Sequence, residues 1–232
     1  MSRPATLLDH RRTGDAPPPP ASVRVDALRE ANHRITNNLS LIAGFVRLQA
    51  MSLARAGSAL SAEEACLLLE DVASRIETVG RLHRLLAESG QGAAVDLGAY
   101  LSETCRALVS SLAADGDVEL TEDFRRGCLV RQDQILPLAL IVSEVVINSI
   151  KYAHPSGVPG TIAVGCRAVS PGVTLVEVQD DGVGLPEGFD PTTAGGLGSR
   201  IIRGLAQQLG AEWGFGSEGL GLRFSLAVPV LH

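Results

Sequence analysis

Three polar side chains stand close together in an otherwise apolar segment, and their chemical types suit phosphate and metal binding. Glu144 and Asn148 are four residues apart, so they share a face if the segment is helical, and Lys151 follows within one turn. A carboxylate, an amide and an amine are expensive to bury among aliphatic residues without partners. The amide oxygen of Asn148 suits Mg²⁺, which prefers oxygen ligands and phosphates, although an ordinary polar helix face would show the same spacing.

A second candidate group begins where a predicted strand ends. Asp180 starts the run Asp-Asp-Gly-Val-Gly directly after the β-type residues 174–179, so its carboxylate can accept a hydrogen bond from an exocyclic amine. Gly182 and Gly184 allow the backbone to approach a flat ligand closely. Taken alone, this motif is also typical of a tight turn or a metal loop.

Glycines also precede a predicted helix further along the chain. Gly196, Leu197 and Gly198 would present unpaired N–H groups and the positive end of the helix dipole to a phosphate. The motif is not a Walker A loop, because no Gly-Lys-Ser/Thr follows it. It is not a Rossmann fingerprint either, because it does not join an N-terminal strand to a helix in a βαβ unit.

One histidine near the N-terminus has the surroundings of a nucleophile. On a helical wheel centred on His33, Asn37, Ser40 and Gly44 fall within about 40° of it, and the apolar stripe lies on the opposite side. An exposed imidazole has a pKa near ~6.5, so it is mostly neutral at neutral pH and can attack an electrophile. On this pattern alone, an ordinary surface histidine is the favoured interpretation.

The elements that must position these residues begin with a helical hairpin. Residues 1–22 include four consecutive prolines and are predicted to be a disordered tail or linker. In residues 23–92, two apolar stripes predict two long helices, and Ser61 with Glu64 matches a capping box for the second helix. One hairpin leaves half of its apolar surface exposed, so we expect two copies to pair as a four-helix bundle. The second stripe consists of Leu68, Val72, Ile76, Val79, Leu82 and Leu86.

Residues 93–232 mix helices and strands without βαβ alternation, which predicts an α+β sandwich with helices on one face of a mixed sheet. This second domain contains the candidate residues for phosphate, metal and amine binding, from Glu144 to Gly198. Its predicted elements are a helix over 97–114, strands over 118–124 and 128–130, a helix over 134–152, strands over 160–168 and 173–180, a helix over 197–209, and strands over 212–215 and 222–228.

Composition excludes several classes of function. The net charge is −6 and the basic residues are scattered, which argues against nucleic-acid binding. The four cysteines form no C-x-x-C pair, so neither a zinc site nor a disulfide framework is expected, and a reducing compartment is the default. No secretory signal is visible. The longest apolar run, 135–150, is shorter than the ~20 residues that span a bilayer, so we expect a cytoplasmic protein without membrane insertion.

The order of the motifs resembles a known nucleotide-binding architecture. A Glu/Asn helix, then D-x-G-x-G, then G-x-G before a helix is similar to the Bergerat fold of gyrase, the Hsp90 chaperones, histidine kinases and MutL. The stretch 144–155, Glu-Val-Val-Ile-Asn-Ser-Ile-Lys-Tyr-Ala-His-Pro, resembles the histidine-kinase N box. The stretch 30–39, Glu-Ala-Asn-His-Arg-Ile-Thr-Asn-Asn-Leu, resembles the H box of the HWE-like subfamily of sensor histidine kinases. The resemblance covers residues 26–229.

This resemblance implies a two-component histidine kinase with a GHKL-type ATP-binding domain, working with ATP and Mg²⁺ as a homodimer. His33 would accept phosphate from ATP and pass it to an aspartate of a response regulator receiver domain. The implied catalytic set is His33, Arg34, Asn37 and Glu144, with Arg34 orienting the γ-phosphate or the receiver. The implied nucleotide set is Asn148, which also binds the metal, Lys151, Asp180, Gly182, Gly184, Gly196, Leu197 and Gly198.

Two departures from the subfamily pattern keep alternatives open. Asn32 stands where the first histidine of a His-His pair is usual, and Thr36 replaces a lysine. The loss of that positive charge, together with the absence of a visible sensor domain, favours a histidine phosphotransferase or phosphatase-biased relay that uses ATP weakly. An anti-sigma-factor-type serine kinase shares the ATP fold, but it needs no long hairpin with an exposed histidine. The input signal is not encoded in any motif of this chain.

Overall fold

The computed structural model of the chain describes residues 43–44, 46–47, 50–51, 61–88, 95–113, 116–125, 128–191, 196–217 and 221–230. The predicted tail and the candidate residues His33, Arg34 and Asn37 lie outside the described residues. The described positions of the first predicted helix, between 43 and 51, are helical. The prediction of that helix is therefore tested only at those positions.

Within the described residues, helices and strands follow in the predicted order. The helices are α1 (Ala62–Glu88), α2 (Leu97–Leu112), α3 (Gln132–Tyr152) and α4 (Leu197–Leu209). The strands are β1 (Val95–Asp96), β2 (Val118–Phe124), β3 (Leu129–Val130), β4 (Gly160–Ser170), β5 (Val173–Asp180), β6 (Glu212–Gly216) and β7 (Arg223–Pro229). The bounds of β2, β5 and α4 agree with the prediction at both ends, whereas the short strand β1 was missed.

Five of these strands form a mixed sheet. Their order is β2-β4-β5-β7-β6, with β2 and β4 parallel and every other neighbouring pair antiparallel. Strands β1 and β3 form a separate antiparallel pair, in which Val95 is opposite Val130. The helices α2, α3 and α4 pack against the large sheet, so the predicted α+β class is confirmed.

Alternation along the strands decides which side chains face the helices. In β4, Ile162 and Val164 are buried, and in β5, Val176 and Val178 are buried, while the residues between them are more exposed. Asp180 follows Val178 by two positions and therefore falls on the same side of the sheet, where it is 5% exposed. The strand thus carries an acidic side chain beneath the helices at its end.

Helix α3 lies at the centre of the core and begins at Gln132 rather than Gln134. The earlier start is stabilised by Gln134, whose side chain accepts from the N–H of Arg131 at 3.0 Å and donates to the carbonyl of Pro229 at 2.9 Å. In the described part of the chain, α3 is the one helix long and apolar enough to cross a membrane, and 78% of the relevant window is buried inside the fold. That burial is typical of a core helix.

Helix α1 begins after Ser61, as predicted, and the described members of its predicted stripe differ in burial. Ile76 is 39% exposed, whereas Val79 is buried. Arg75 and Thr78 are buried beside Val79, within about one turn of the helix. The helix packs against α2 and α3, in the same compact unit as the sheet. The proposed boundary between the hairpin and the second domain, at residues 92 and 93, stays a prediction.

The cysteines correct one expectation, because Cys128 and Cys166 are joined by a disulfide bond. Their Cα atoms are 6.0 Å apart although 38 positions separate them in the sequence, so spacing along the chain could not reveal the pair. The cysteines therefore no longer argue for a reducing compartment. Of the two free cysteines, Cys66 is exposed and Cys105 is buried. Burial, and then the charge of Glu122, raises the pKa of the Cys105 thiol to about 12.

Candidate functional site

Asp180 is held in a defined orientation at the end of β5. The hydroxyl of Ser149, on α3, donates to its Oδ2 at 2.7 Å. The backbone N–H groups of Gly182 and Leu222 both donate to its Oδ1 at 3.1 Å. A carboxylate has about four acceptor positions, so Oδ2 can still accept a hydrogen bond from an amine of a ligand.

The loop that follows β5 is fastened to the end of α3. The N–H of Val183 donates to the carbonyl of Ala153 at 2.9 Å. Gly182 lies so close to Ala153 that a Cβ at this position would collide with that carbonyl. Gly184 has a φ of +72°, a conformation that glycine adopts readily and other residues rarely do. Both glycines of the motif are therefore required by the turn beside Asp180.

Asp181, in the same loop, forms hydrogen bonds to His154 and Thr161. The Nε2 atom of His154 lies 2.8 Å from Oδ1 of Asp181, and the backbone N–H of Thr161 donates to that oxygen at 2.8 Å. The hydrogen bond from Thr161 is the main reason that the pKa of the Asp181 carboxyl lies below its usual range, and His154 adds to the effect. The cluster joins the chain after α3, the start of β4 and the loop after β5, and so orders the backbone next to Asp180.

The other end of the candidate site lies where α3 meets the first turn of α4. A Cβ at Gly198 would lie 2.8 Å from Oε2 of Glu144 and 3.6 Å from Nδ2 of Asn148. Glu144 is 2% exposed, and Asn148 is half-buried. The helical spacing of Glu144 and Asn148 thus does place both side chains together, and it places them against the glycine backbone that opens α4.

Glu144 has an ionic partner that sequence reasoning missed. Arg75 of α1 donates from Nε to Oε1 of Glu144 at 2.5 Å and from Nη2 to Oε2 at 2.8 Å. The two side chains are only 5% and 3% exposed. A two-point contact of this kind fixes the orientation of both groups. A signal was available, because Arg75 lies three residues after Val72 and four before Val79, on an apolar line of the helix.

The remaining predicted site residues lie around these two ends. Lys151 is in the last turn of α3 and is exposed, in contrast to the buried Glu144. Gly196 is the N-cap residue of α4 and is also exposed, and Leu197 is the first residue of that helix. Ser149 is the further contributor that sequence reasoning missed, although a serine beside Asn148 in an apolar helix was visible in the sequence.

This arrangement has the donors and acceptors that a nucleotide with a bound cation requires. Asp180 offers a buried acceptor for an exocyclic amine at one end. At the other end, Gly198 leaves the start of α4 free of side-chain bulk, so the N–H groups and the positive dipole end of the helix can face phosphates. The amide oxygen of Asn148 is beside that helix end and suits a hard cation such as Mg²⁺.

Two family models match the chain. The model described as histidine kinase matches residues 30–112, which include α1 and α2. The model described as histidine kinase-, DNA gyrase B-, and HSP90-like ATPase matches residues 133–232, which include both ends of the candidate site.

Curated relatives carry the same description. Blue-light-activated histidine kinase 2 of Erythrobacter litoralis is 28% identical over 229 residues, covering 94% of this chain. The sensor histidine kinase PdtaS of Mycobacterium tuberculosis is 29% identical over 179 residues, covering 77% of this chain. The chain spans 61% of the first protein and 34% of the second, so both relatives are considerably longer than the matched part.

Solved structures agree with the sequence comparisons. The histidine kinase domain of the Erythrobacter litoralis EL346 blue-light activated histidine kinase is 25% identical, with a TM-score of 0.65 over 88% of this chain and 94% of that one. The longer EL346 structure gives a TM-score of 0.69 at 26% identity, over 94% of this chain and 63% of that one. The two family models in this order, together with relatives that match nearly the whole chain, show that the chain has the two domains of a histidine kinase core.

Proposed function

We propose that this chain is the kinase core of a two-component signalling protein, which phosphorylates His33 from ATP and passes the phosphoryl group to an aspartate of a response regulator. The observation that supports it best is the pair of site ends on α3. Ser149 orients the buried acceptor Asp180, and its neighbour Asn148 stands with Glu144 against the backbone of Gly198. Such a layout suits ATP, whose purine amine and charged phosphates need opposite kinds of partner.

The chemistry consists of two transfers. The neutral imidazole of His33 attacks the γ-phosphorus, a nitrogen–phosphorus bond forms, the bond to the bridging oxygen breaks, and ADP leaves. The ring proton passes to a base or to solvent. A carboxylate oxygen of the receiver aspartate then attacks the same phosphorus, the nitrogen–phosphorus bond breaks, and the ring takes up a proton from solvent to regenerate the neutral imidazole. Arg34, adjacent to His33, would orient the γ-phosphate or the receiver, and Asn37 shares the same helix face.

The chain's own residues would divide the work of holding MgATP. Asp180 accepts the adenine amine, and the turn formed by Gly182 and Gly184 lets the purine approach the backbone. The phosphates would be held by Lys151, by the N-cap residue Gly196 and by the first two residues of α4, Leu197 and Gly198. Asn148 is the proposed ligand for Mg²⁺, which supplies charge neutralisation at the phosphates when it is bound.

A homodimer is part of the proposal, and exposed apolar side chains on the helical segments support it. Leu69 and Ile76 of α1 are 65% and 39% exposed, and Val46 and Met51 are 49% and 50% exposed. Large aliphatic groups on one hairpin are buried when two hairpins pair as a bundle. Replacing Ile42 and Val46 with lysine should yield monomers in light scattering. A wild-type protein that stays monomeric at high concentration would refute this part of the proposal.

The proposed function is tested by incubating the full chain with labelled ATP, Mg²⁺ and a panel of receiver domains. The expected product is an acid-labile phosphate on the chain. The labelled phosphoryl group should then be transferred to one of the receiver domains. An acid-stable phosphate would instead indicate a serine kinase. No labelling from ATP, combined with uptake of phosphate from a phosphorylated receiver, would indicate a relay protein.

A further inference from the structure

The buried pair of Arg75 and Glu144 links the helical hairpin to the candidate nucleotide site. Arg75 belongs to α1, the predicted second helix of the hairpin, and Glu144 belongs to α3. Both oxygens of the carboxylate accept a hydrogen bond from the guanidinium, at 2.5 and 2.8 Å. On its other side, Oε2 lies against the backbone of Gly198. The contact therefore stands where α1, α3 and the first turn of α4 converge.

In this arrangement both oxygens of Glu144 are bound to Arg75. The two-point contact fixes the plane of the carboxylate and offsets its charge, so the group is oriented toward Arg75 rather than toward an imidazole or a phosphate-bound cation. Arg75 and such a cation would compete, because both positive charges attract the same buried carboxylate. Glu144 is therefore in a resting arrangement, and it has to exchange Arg75 for the reacting groups before it can act on them.

Arg75 lies in a buried turn of α1. Among the described side chains of the helix, the buried ones are Arg75, Thr78 and Val79, which span about one turn, while Leu69 and Ile76 are exposed. A movement of this turn relative to α3 would therefore change the contact between Arg75 and Glu144.

We propose that Arg75 is a positioning residue that holds Glu144 in the resting arrangement, and that phosphoryl transfer to the hairpin histidine requires its release. The proposal rests on the proposed function, since it assumes that MgATP binds beside Glu144. In this role Arg75 acts through Glu144 rather than on a reacting atom. A signal that moves α1 would therefore change the phosphorylation rate without altering the adenine end of the site at Asp180.

The variant that tests this role is Arg75→Gln, which keeps an N–H donor for Glu144 and so avoids leaving a buried carboxylate with no partner. Arg84→Gln is the matched control, because Arg84 is on the same helix and is exposed. We expect Arg75→Gln to raise the phosphorylation rate at saturating ATP by about threefold or more, since the rate scales with the fraction of molecules in the competent state. The control should match the wild type. A purely structural arginine would lower the rate, and a rate at or below that of the wild type would overturn the proposal.

A second measurement needs no variant. Hydrogen exchange of the wild-type amides over residues 72–79 is compared with and without Mg²⁺ and a non-hydrolysable ATP analogue, whose binding is followed separately by calorimetry. We expect exchange in this segment to rise about threefold or more on binding, because the helix turn is released from Glu144. If the analogue binds and exchange stays unchanged, the proposed release of Arg75 from Glu144 is wrong, while the nucleotide site stands. If the analogue does not bind at all, the proposed function fails, and the proposed role of Arg75 fails with it.

Discussion

Asp180→Asn tests the adenine end of the site, because the structure accounts for the partners of each carboxylate oxygen. Oδ1 receives the N–H groups of Gly182 and Leu222, and Oδ2 receives the Ser149 hydroxyl. In the asparagine variant, the amide oxygen has to stay at the Oδ1 position, since an NH₂ group there would face two donors. The NH₂ group then takes the Oδ2 position, where the serine hydroxyl can turn to accept its proton. An adenine amine would find a donor where the wild type offers an acceptor.

The expected loss of ATP affinity follows from replacing this one acceptor, Oδ2, with a donor. A hydrogen bond to a charged group contributes about 1.5–3 kcal/mol, and about 1.4 kcal/mol corresponds to tenfold in affinity, so the Kd for ATP should rise about ten- to hundredfold. The ratio of the affinity for ATP to the affinity for GTP should fall as well, because guanine has a carbonyl oxygen where adenine has its amine. The fold should persist, since every backbone donor near Asp180 keeps an acceptor.

Calorimetric titration with MgATP and with MgGTP measures both quantities. Asp123→Asn is the matched control, because Asp123 is on strand β2 of the same sheet and its side chain is 68% exposed. The control should bind ATP like the wild type, and thermal unfolding should confirm that both variants fold. An unchanged Kd for ATP in a folded Asp180→Asn variant would remove Asp180 from the site.

Three further predictions follow from the described residues. Asn148→Asp should abolish Mg²⁺-dependent phosphorylation while the fold survives, and normal phosphorylation of this variant across a Mg²⁺ titration would contradict the metal assignment. The pKa of Asp181 is depressed in the folded state, chiefly by Thr161, so its contribution to stability is present above the ordinary carboxyl pKa and is lost as the pH falls through the depressed value. Asp181→Asn should therefore flatten the acid side of a curve of Tm against pH, and an unaltered curve would refute this. In the native protein, Cys66 should react quickly with a thiol reagent and the buried Cys105 should not, as mass spectrometry of the labelled peptides would show.

Local patterns predicted much of the domain that carries the site. The alternation of apolar residues places the strand before Asp180 correctly, and the same alternation explains why Asp180 is buried. The helical spacing of Glu144 and Asn148 predicts that the two side chains share a face, and the glycines at 196 and 198 predict the start of α4. Each of these features depends on residues close together in the sequence, where period and turn chemistry are decisive.

Contacts between distant segments were not predictable in this way. Arg75 is visible as a charge on an apolar helix line, but its partner Glu144 is 69 positions away. The start of α3 depends on a hydrogen bond from Gln134 to Pro229, which are separated by 95 positions. Within the predicted apolar stripe of α1, Val79 is buried and Ile76 is 39% exposed. Periodicity identifies which face of a helix is apolar, whereas the packing of the whole domain decides which residues of that face are covered.

The central claim is that His33 accepts the phosphate, and one comparison tests it most directly. The wild type, His33→Ala and the matched control His83→Ala are incubated with labelled ATP and Mg²⁺, and acid-labile phosphate is measured beside ATP binding. We expect His33→Ala to bind ATP normally and to carry no phosphate, because the proposed nucleotide residues all lie beyond position 140, while His83→Ala is labelled like the wild type. Acid-labile phosphate that still accumulates on His33→Ala would contradict the account.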